Sequence, residues 1–279
     1  MLSYQHGFHA GNFADVHKHM ILALIMEALN LKDKPWSYLE THGGAALYDL
    51  GGDKAQKTGE YLGGIAKLWN RSDMPDAMLP YMAQVQAVNQ GKALKYYPGS
   101  PSIASMLARS SDRLAVMELH PAEYQQVKHH FRRQPQVAVH HRDGYEGVLS
   151  MMPPKPNRGL VLIDPSYEVK TEYRQVAKFV KQLMDRWSNG SVAIWYPILK
   201  AGQHQGMVDQ IVASGIRKVY QSEFYVQDSG SQRMYGSGML LINPPWQLDE
   251  KIEALMPWLY RRLAQSGADE PQERWLVPE

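Results

Sequence analysis

The chain opens on helical periodicity. In "NFADVHKHMILALIMEALNLKDK" apolar residues recur at Val16, Met20, Leu24 and Leu31, with Asn12 and Asp15 ahead of them as capping candidates, which predicts an amphipathic helix. Asp15 and His19, four apart, share one face of it. "WSYLETHGGAA" reads as a short apolar strand running into a tight turn. Residues 53–96 keep helix-like spacing with frequent polar positions, and "YYPGSPS" follows at their end. They predict an inserted helical subdomain that interrupts a main domain of residues 1–52 and 97–279.

Beyond the insertion the rhythm becomes regular. "LAVMELHP", "VAVHHRDGY", "RGLVLIDPSYE", "GSVAIWYPIL", "IRKVYQSEFYV" and "SGMLLINPPW" are short β-rich runs, mostly separated by helical patterns. With "WSYLETH" they make seven strands of a mostly parallel, doubly wound sheet. The last two are joined by "QDSGSQRMYGSG", too short for a crossover helix, so they pair as antiparallel neighbours. The expected fold class is therefore α/β, Rossmann-like and seven-stranded, the arrangement of S-adenosylmethionine-dependent methyltransferases, with a small helical insertion.

Composition narrows the chemistry. The 279 residues contain no cysteine, which removes disulfides, zinc-thiolate sites and thiol nucleophiles. The N-terminus is polar and no apolar run approaches the ~20 residues that cross a bilayer, so the expectation is a soluble, cytoplasmic protein. Thirty Lys and Arg against 28 Asp and Glu leave a formal charge of +2, so a nucleic-acid partner has to be met by a local patch. Histidines cluster as His17 with His19, His129 with His130 and His140 with His141, beside Lys18, Lys128, Arg132, Arg133 and Arg142. Such clusters are usually solvated faces; they can also supply phosphate contacts.

In an open α/β sheet, ligands sit beyond the carboxyl ends of the strands, near the switch in strand order. Gly43 and Gly44 end the first strand, where glycines let a cofactor approach the backbone and a following helix N-terminus faces its carboxylate. Taken alone, Gly-Gly is as readily a structural turn. Glu118 ends the second strand, where a carboxylate accepts from ribose hydroxyls, although a surface Glu explains it equally. Asp143 and Gly144 end the third, where an acid meets the adenine amine of a cofactor.

Asp164, Pro165, Ser166 and Tyr167 end the fourth strand. Adenine N6 is a poor nucleophile because its lone pair is delocalised into the ring. Hydrogen bonds accepted from its two protons by the Asp164 carboxylate and the Pro165 carbonyl push it towards a tetrahedral, nucleophilic amine, with Tyr167 stacked on the flipped base. Transfer in line from a sulfonium then depends on orientation more than on strong base catalysis, and needs no metal. "NPPW" at 243–246 spells the usual aromatic-ended diproline pattern with better letters, since Asn243 can accept and Trp246 can stack. It ends the last of the seven strands, however, away from the other strand ends, and its prolines are explained as a stop before a helix.

"MLSYQHGFHAGNFADVHKH", "THGGAALY", "TGEYLGGIAKLW", "YYPGSP", "ELHP", "DGY", "LIDPSYE", "GIRK", "SGMLLINPPW" and the closing "WLVPE" resemble, in order and over nearly the whole chain, the bacterial RlmJ family. The resemblance implies an S-adenosylmethionine-dependent adenine-N6 methyltransferase acting on 23S ribosomal RNA, at adenine 2030. It implies cofactor contacts from His19, His42, Ser100, Glu118, Asp143, Gly144 and Asp164, catalysis at Asp164, and an RNA contact from Tyr4. A monomer acting on protein-free or partly assembled RNA is expected.

Two departures matter. The family usually reads "THAGAG", where this chain has Gly43 and Ala46. Ser166 replaces the second proline, which frees Pro165 from the restriction a following proline imposes and predicts retained chemistry on a less rigid loop. A DNA adenine methyltransferase, or a cofactor-binding variant with reduced activity, remains an alternative. A metal-dependent phosphoesterase built on His6, His9, His17 and His19 is a third, weakened because HxH spacing on a helix sends the two rings to different faces.

Overall fold

The computed structural model describes residues 5–231 and 233–278. In chain order the first half runs α1 (Phe13–Asn30), β1 (Ser37–Glu40), β2 (Leu47–Asp49), α2 (Asp53–Thr58), α3 (Leu79–Val88), β3 (Tyr96–Pro98), α4 (Ser100–Leu107), β4 (Arg113–Met117), α5 (Pro121–His130) and β5 (Val137–His140). The second half adds α6 (Gly144–Ser150), β6 (Gly159–Ile163), α7 (Glu172–Arg186), β7 (Ser191–Ile198), α8 (Gln203–Ala213), β8 (Val219–Tyr225), β9 (Gly236–Ile242), α9 (Leu248–Leu263) and β10 (Gln272–Val277).

All seven expected strands form and join one sheet in the order β10-β8-β9-β7-β6-β1-β4-β5. The run from β7 through β6, β1 and β4 to β5 is parallel, and β9 is antiparallel to both of its neighbours. This is the Rossmann-like arrangement with its reversed hairpin. Strand order turns back between β1 and β6, so the crevice that binds ligands in such sheets opens beyond Glu40 and Ile163.

An eighth strand corrects the expected count. β10, which carries the closing "WLV", pairs antiparallel with β8 and covers that edge of the sheet. Its residues are exposed or half-buried with no alternation, which is why a hydrophobic pattern does not announce it. A second correction concerns the turn after β1. No helix follows Gly44; the chain enters β2, which pairs with β3 across the helical insertion. The helix N-terminus expected at that turn is supplied instead by α4, whose first residue is Ser100.

The first helix forms as expected, with Asn12 as its N-cap: the Asn12 Oδ1 accepts the Ala14 and Asp15 N–H groups at 3.0 and 2.9 Å. It is not amphipathic in use. Sheet residues and α9 pack on one side and α3 and α4 on the other, so Asp15, His17, Lys18 and His19 are all buried. The solvated face expected of His17 and His19 does not exist. His17 lies between the Ser237 and Ser222 hydroxyls, at 3.0 Å from each, and burial pushes its pKa down to about 3.

A folded-state pKa below the ordinary 6.5 means that the unfolded chain takes up a proton that the folded chain refuses. His17 therefore contributes stability above pH 6.5 that is lost as pH falls towards 3. Denaturant midpoints measured across that window are expected to fall in the wild type. In His17→Gln they fall less steeply.

Candidate active site

The sequence places four polar elements at successive strand ends, and a cavity of about 690 Å³ forms above them. His19, His42, Gly43, Gly44, Ser100, Glu118, Asp164, Pro165 and Tyr167 all line it. Asp143 and Gly144 do not. The Asp143 carboxylate caps α6, accepting the Glu146 N–H at 2.9 Å, while Gly144 lies so close to β1 that a Cβ there would sit 2.0 Å from the Thr41 carbonyl oxygen. Tyr4 lies outside the described residues.

The turn after β1 is shaped by close approach. A Cβ on Gly43 would meet the Val116 side chain at 2.2 Å, and Gly44 adopts a φ of +58°, the left-handed region that glycine enters without strain. Ala46 also has positive φ, at 68°, so alanine here occupies a conformation the family's usual glycine takes more cheaply. Glu118 ties this turn to β4. Its two carboxylate oxygens accept the Gly44 N–H at 2.8 Å and the His120 N–H at 2.6 Å. Burial raises its pKa, and its remaining lone pairs are left for hydroxyl donors.

Histidine chemistry is muted on this side of the cavity. The His42 Nδ1 lies 2.8 Å from the Thr41 hydroxyl, and burial lowers its pKa to about 4. His19, held well below its ordinary value by burial, meets the Tyr97 hydroxyl at Nδ1, whereas its buried Nε2 has no hydrogen-bond partner. His17 and His19 point to opposite sides of α1, as HxH spacing requires. Ser100 spends its hydroxyl on Glu40, a buried carboxyl whose pKa burial raises to about 8 and which also accepts from the Tyr38 hydroxyl.

The loop after β6 holds the second half of the site. Asp164 is mostly buried, and the Lys18 Nζ donates to its Oδ2 at 2.5 Å. The same ammonium lies 3.0 Å from the Asp15 Oδ1 and 5.4 Å from the Trp195 ring centroid. Burial works against the charge on Lys18, but the Asp164 and Asp15 carboxylates outweigh it and raise its pKa. Burial likewise opposes ionisation of Asp15, yet His6, Lys18 and His19 hold its carboxyl well below the usual range. The Asp164 Oδ1 meets no donor among the described residues.

Tyr167 is not the free stacking platform expected of it. Its hydroxyl donates to the Trp195 carbonyl at 2.8 Å, its N–H donates to the Glu172 Oε2 at 2.9 Å, and its ring packs 4.4 Å from Tyr173. These bonds pin the loop on both sides of the cavity wall. The slack expected from Ser166 is thus countered by Glu172 from α7. Trp195, on β7 and also lining the cavity, is the other aromatic surface beside Asp164.

Sequence reasoning missed Lys18, Asp15, Glu40, Glu172 and Trp195. A signal existed for the first two: Asp15 and Lys18, three apart, lead straight into the apolar run "MILALIM". Glu40 gave a fainter one, as a carboxyl following Tyr38 and Leu39 at the end of a short strand. Nothing local distinguishes Glu172 or Trp195.

"NPPW" occupies the opposite end of the sheet. Because β9 is antiparallel, Ile242 pairs with Val192 at the start of β7, and the following loop emerges at the amino ends of the parallel strands. The Asn243 Nδ2 donates to the Ser188 and Gly190 carbonyls, both at 2.9 Å, while Trp246 is 89% exposed and does not line the cavity at Asp164.

A family model described as "Ribosomal RNA large subunit methyltransferase D, RlmJ" matches residues 33–277. The chain belongs to the RlmJ family. Among its relatives, a protein named ribosomal RNA large subunit methyltransferase J from Escherichia coli is 43% identical over 280 residues, covering all of both chains. The protein of the same name from Haemophilus influenzae is 42% identical over 281 residues, again end to end. A crystal structure of a Legionella pneumophila protein superposes with a TM-score of 0.88 at 34% identity, over 95% of this chain and 98% of that one. Among the described residues no helix is long and apolar enough to cross a membrane.

Proposed function

We propose that this RlmJ-family chain transfers a methyl group from S-adenosylmethionine to the N6 of an adenine in large-subunit ribosomal RNA. The observation that carries the reading is the placement of Asp164. It stands at the carboxyl end of β6, beside the switch in strand order, with one oxygen anchored by buried Lys18 and the other left to the cavity.

The chain's own groups suit the cofactor. The buried His19 Nε2, which lacks a hydrogen bond in the structure, and the spare acceptor capacity of Glu118 are what a ligand with an amino-acid moiety and a ribose requires. We assign His19, His42, Gly43, Gly44, Ser100 and Glu118 to cofactor binding, with the α4 N-terminus favouring its carboxylate. Asp143 and Gly144 would meet its adenine only at the border of the cavity. Bound S-adenosylmethionine supplies an electrophilic methyl on sulfur.

The remaining work is positional. The Asp164 Oδ1 and the Pro165 carbonyl accept hydrogen bonds from the two N6–H groups, which localises the lone pair on nitrogen; as the new N–C bond forms and the S–C bond breaks, one N6 proton is released by way of Asp164 to solvent. Lys18, donating to its Oδ2, keeps Asp164 from turning away from the substrate. Trp195, which lines the cavity beside Lys18, bounds the base on one flank, so that extraction from the RNA is compensated by aromatic contact, with Tyr167 fixed behind the loop by Trp195 and Glu172. The substrate reading fits a cytoplasmic protein that acts as a monomer on protein-free or partly assembled RNA.

The test is transfer of labelled methyl groups to protein-free large-subunit RNA, to the assembled subunit and to duplex DNA. Incorporation into the free RNA as N6-methyladenine is expected, with little into DNA. Label entering duplex DNA at a comparable rate would favour the DNA alternative.

A further inference from the structure

We propose that the carboxyl end of α5 and the outer edge of β5 form a second RNA contact, a phosphate-binding face outside the catalytic crevice that holds the substrate beyond its target nucleotide. The inference rests on the ribosomal RNA reading above and extends it to how a large substrate is gripped.

Residues 124–142 contain Lys128, Arg132, Arg133 and Arg142 and no Asp or Glu. Setting those four aside leaves 26 Lys and Arg against 28 Asp and Glu, so a chain of formal charge +2 becomes net −2 without this segment. Within the catalytic cavity the buried cation Lys18 is neutralised by two carboxylates, which leaves Lys67 and Arg233 as the cationic side chains of its lining without a carboxylate partner among the described residues. The four in this segment have no carboxylate partner among the described residues. Unpaired cations concentrated on one face are the electrostatic footprint of a polyanion partner.

The face is also shaped. β5 ends the sheet and pairs only with β4, so its outer edge is open. A recess of about 450 Å³ lies between it and the end of α5, with Lys128, Arg132 and Arg133 at its rim and Phe131, Val137 and Val139 as its apolar lining. An apolar floor beneath a cationic rim suits a nucleotide unit, with base or ribose over the floor and phosphate at the rim.

A column of contacts joins this recess to the mouth of the crevice. The Lys128 Nζ sits 5.2 Å from the Tyr124 ring centroid, and Tyr124 stacks on His141 at 4.6 Å with 15° between the rings. The His141 Nε2 lies 3.1 Å from the Leu119 carbonyl, between cavity residues Glu118 and His120. Three inter-strand spacings of roughly 4.8 Å separate β6 from β5, so the face begins about 15 Å from Asp164. One structured RNA arm can reach both.

The test compares wild type, a triple variant (Lys128→Ala, Arg132→Ala, Arg133→Ala) and a charge-keeping control (Arg132→Lys, Arg133→Lys). Substrates are full-length large-subunit RNA and a short oligoribonucleotide carrying only the target loop, assayed between about 50 and 200 mM salt. For the triple variant KM on the long RNA is expected to rise about tenfold or more with kcat unchanged, and the salt slope of log KM to become shallower by about 2–3, one contact per lost cation. Kinetics on the oligonucleotide, and the control on both substrates, should match wild type.

An unchanged KM and salt slope on the long RNA, or an equal rise in KM on the oligonucleotide, overturns the face. Should wild type methylate neither RNA, the ribosomal reading fails instead. Filter binding of the long RNA by wild type and the triple variant then still decides the face.

Discussion

Asp164→Ala is expected to lower kcat for methyl transfer by about 10²–10³-fold, the cost typical of removing one group aimed at charge that develops in a transition state. The cofactor should still bind with near wild-type affinity, because the turn at Gly43 and Gly44, and Glu118, are held by contacts independent of β6. Asn243→Ala is the matched control. It loses two hydrogen bonds to Ser188 and Gly190, costing about 1–3 kcal/mol of stability, and should leave kcat within about twofold. Single-turnover transfer and denaturant unfolding of both variants check this. Normal turnover in Asp164→Ala, or its loss in a stably folded Asn243→Ala, would move the active site to the wrong end of the sheet.

Lys18→Met should have the largest effect on stability. Lys18 is 3% exposed and bridges two carboxylates, so its removal leaves Asp15 and Asp164 as buried or nearly buried charges with their shared cation gone. Breaking a buried pair from one side costs about 3–5 kcal/mol. The sign of its pH dependence is fixed by linkage. In the wild type the Asp15 pKa is held below its ordinary 3.8, so its contribution is present above that pH and fades below it. Without Lys18 the Asp15 carboxyl titrates at a higher pH, and the variant is expected to lag the wild type more at pH 8 than at pH 4. Denaturant midpoints at the two pH values measure the difference, and an equal deficit at both would mean that packing, not charge, is what Lys18 supplies. Lys18→Arg should not rescue turnover, since a planar guanidinium cannot replace a compact ammonium between Asp15, Asp164 and Trp195.

Much of the site was legible because strand ends are. In a parallel sheet every strand delivers its following residue to the same edge, so one polar residue after each apolar run locates the crevice without coordinates. That rule found Gly43, Gly44, Glu118 and Asp164. It also named Asp143, which reaches the right edge but turns to cap α6. It could not see that Tyr167 is tied down by Trp195 and Glu172, since both partners come from later elements.

The two diproline candidates mark the boundary most clearly. Apolar runs and turn chemistry are local properties, and they were enough to determine seven strands, their alternation with helices, the reversed hairpin and the β6 loop as the catalytic candidate. Direction and partnership are not local. Only tertiary packing decided that β9 inserts between β8 and β7 and runs antiparallel to both, that an eighth strand pairs with β8, and that α1 is enclosed by the sheet, α3, α4 and α9. That enclosure turns a Lys and an Asp three residues apart, ordinary on a solvated helix, into a charged pair with nowhere to go but the carboxylate at 164, because burial forbids an ion without a partner.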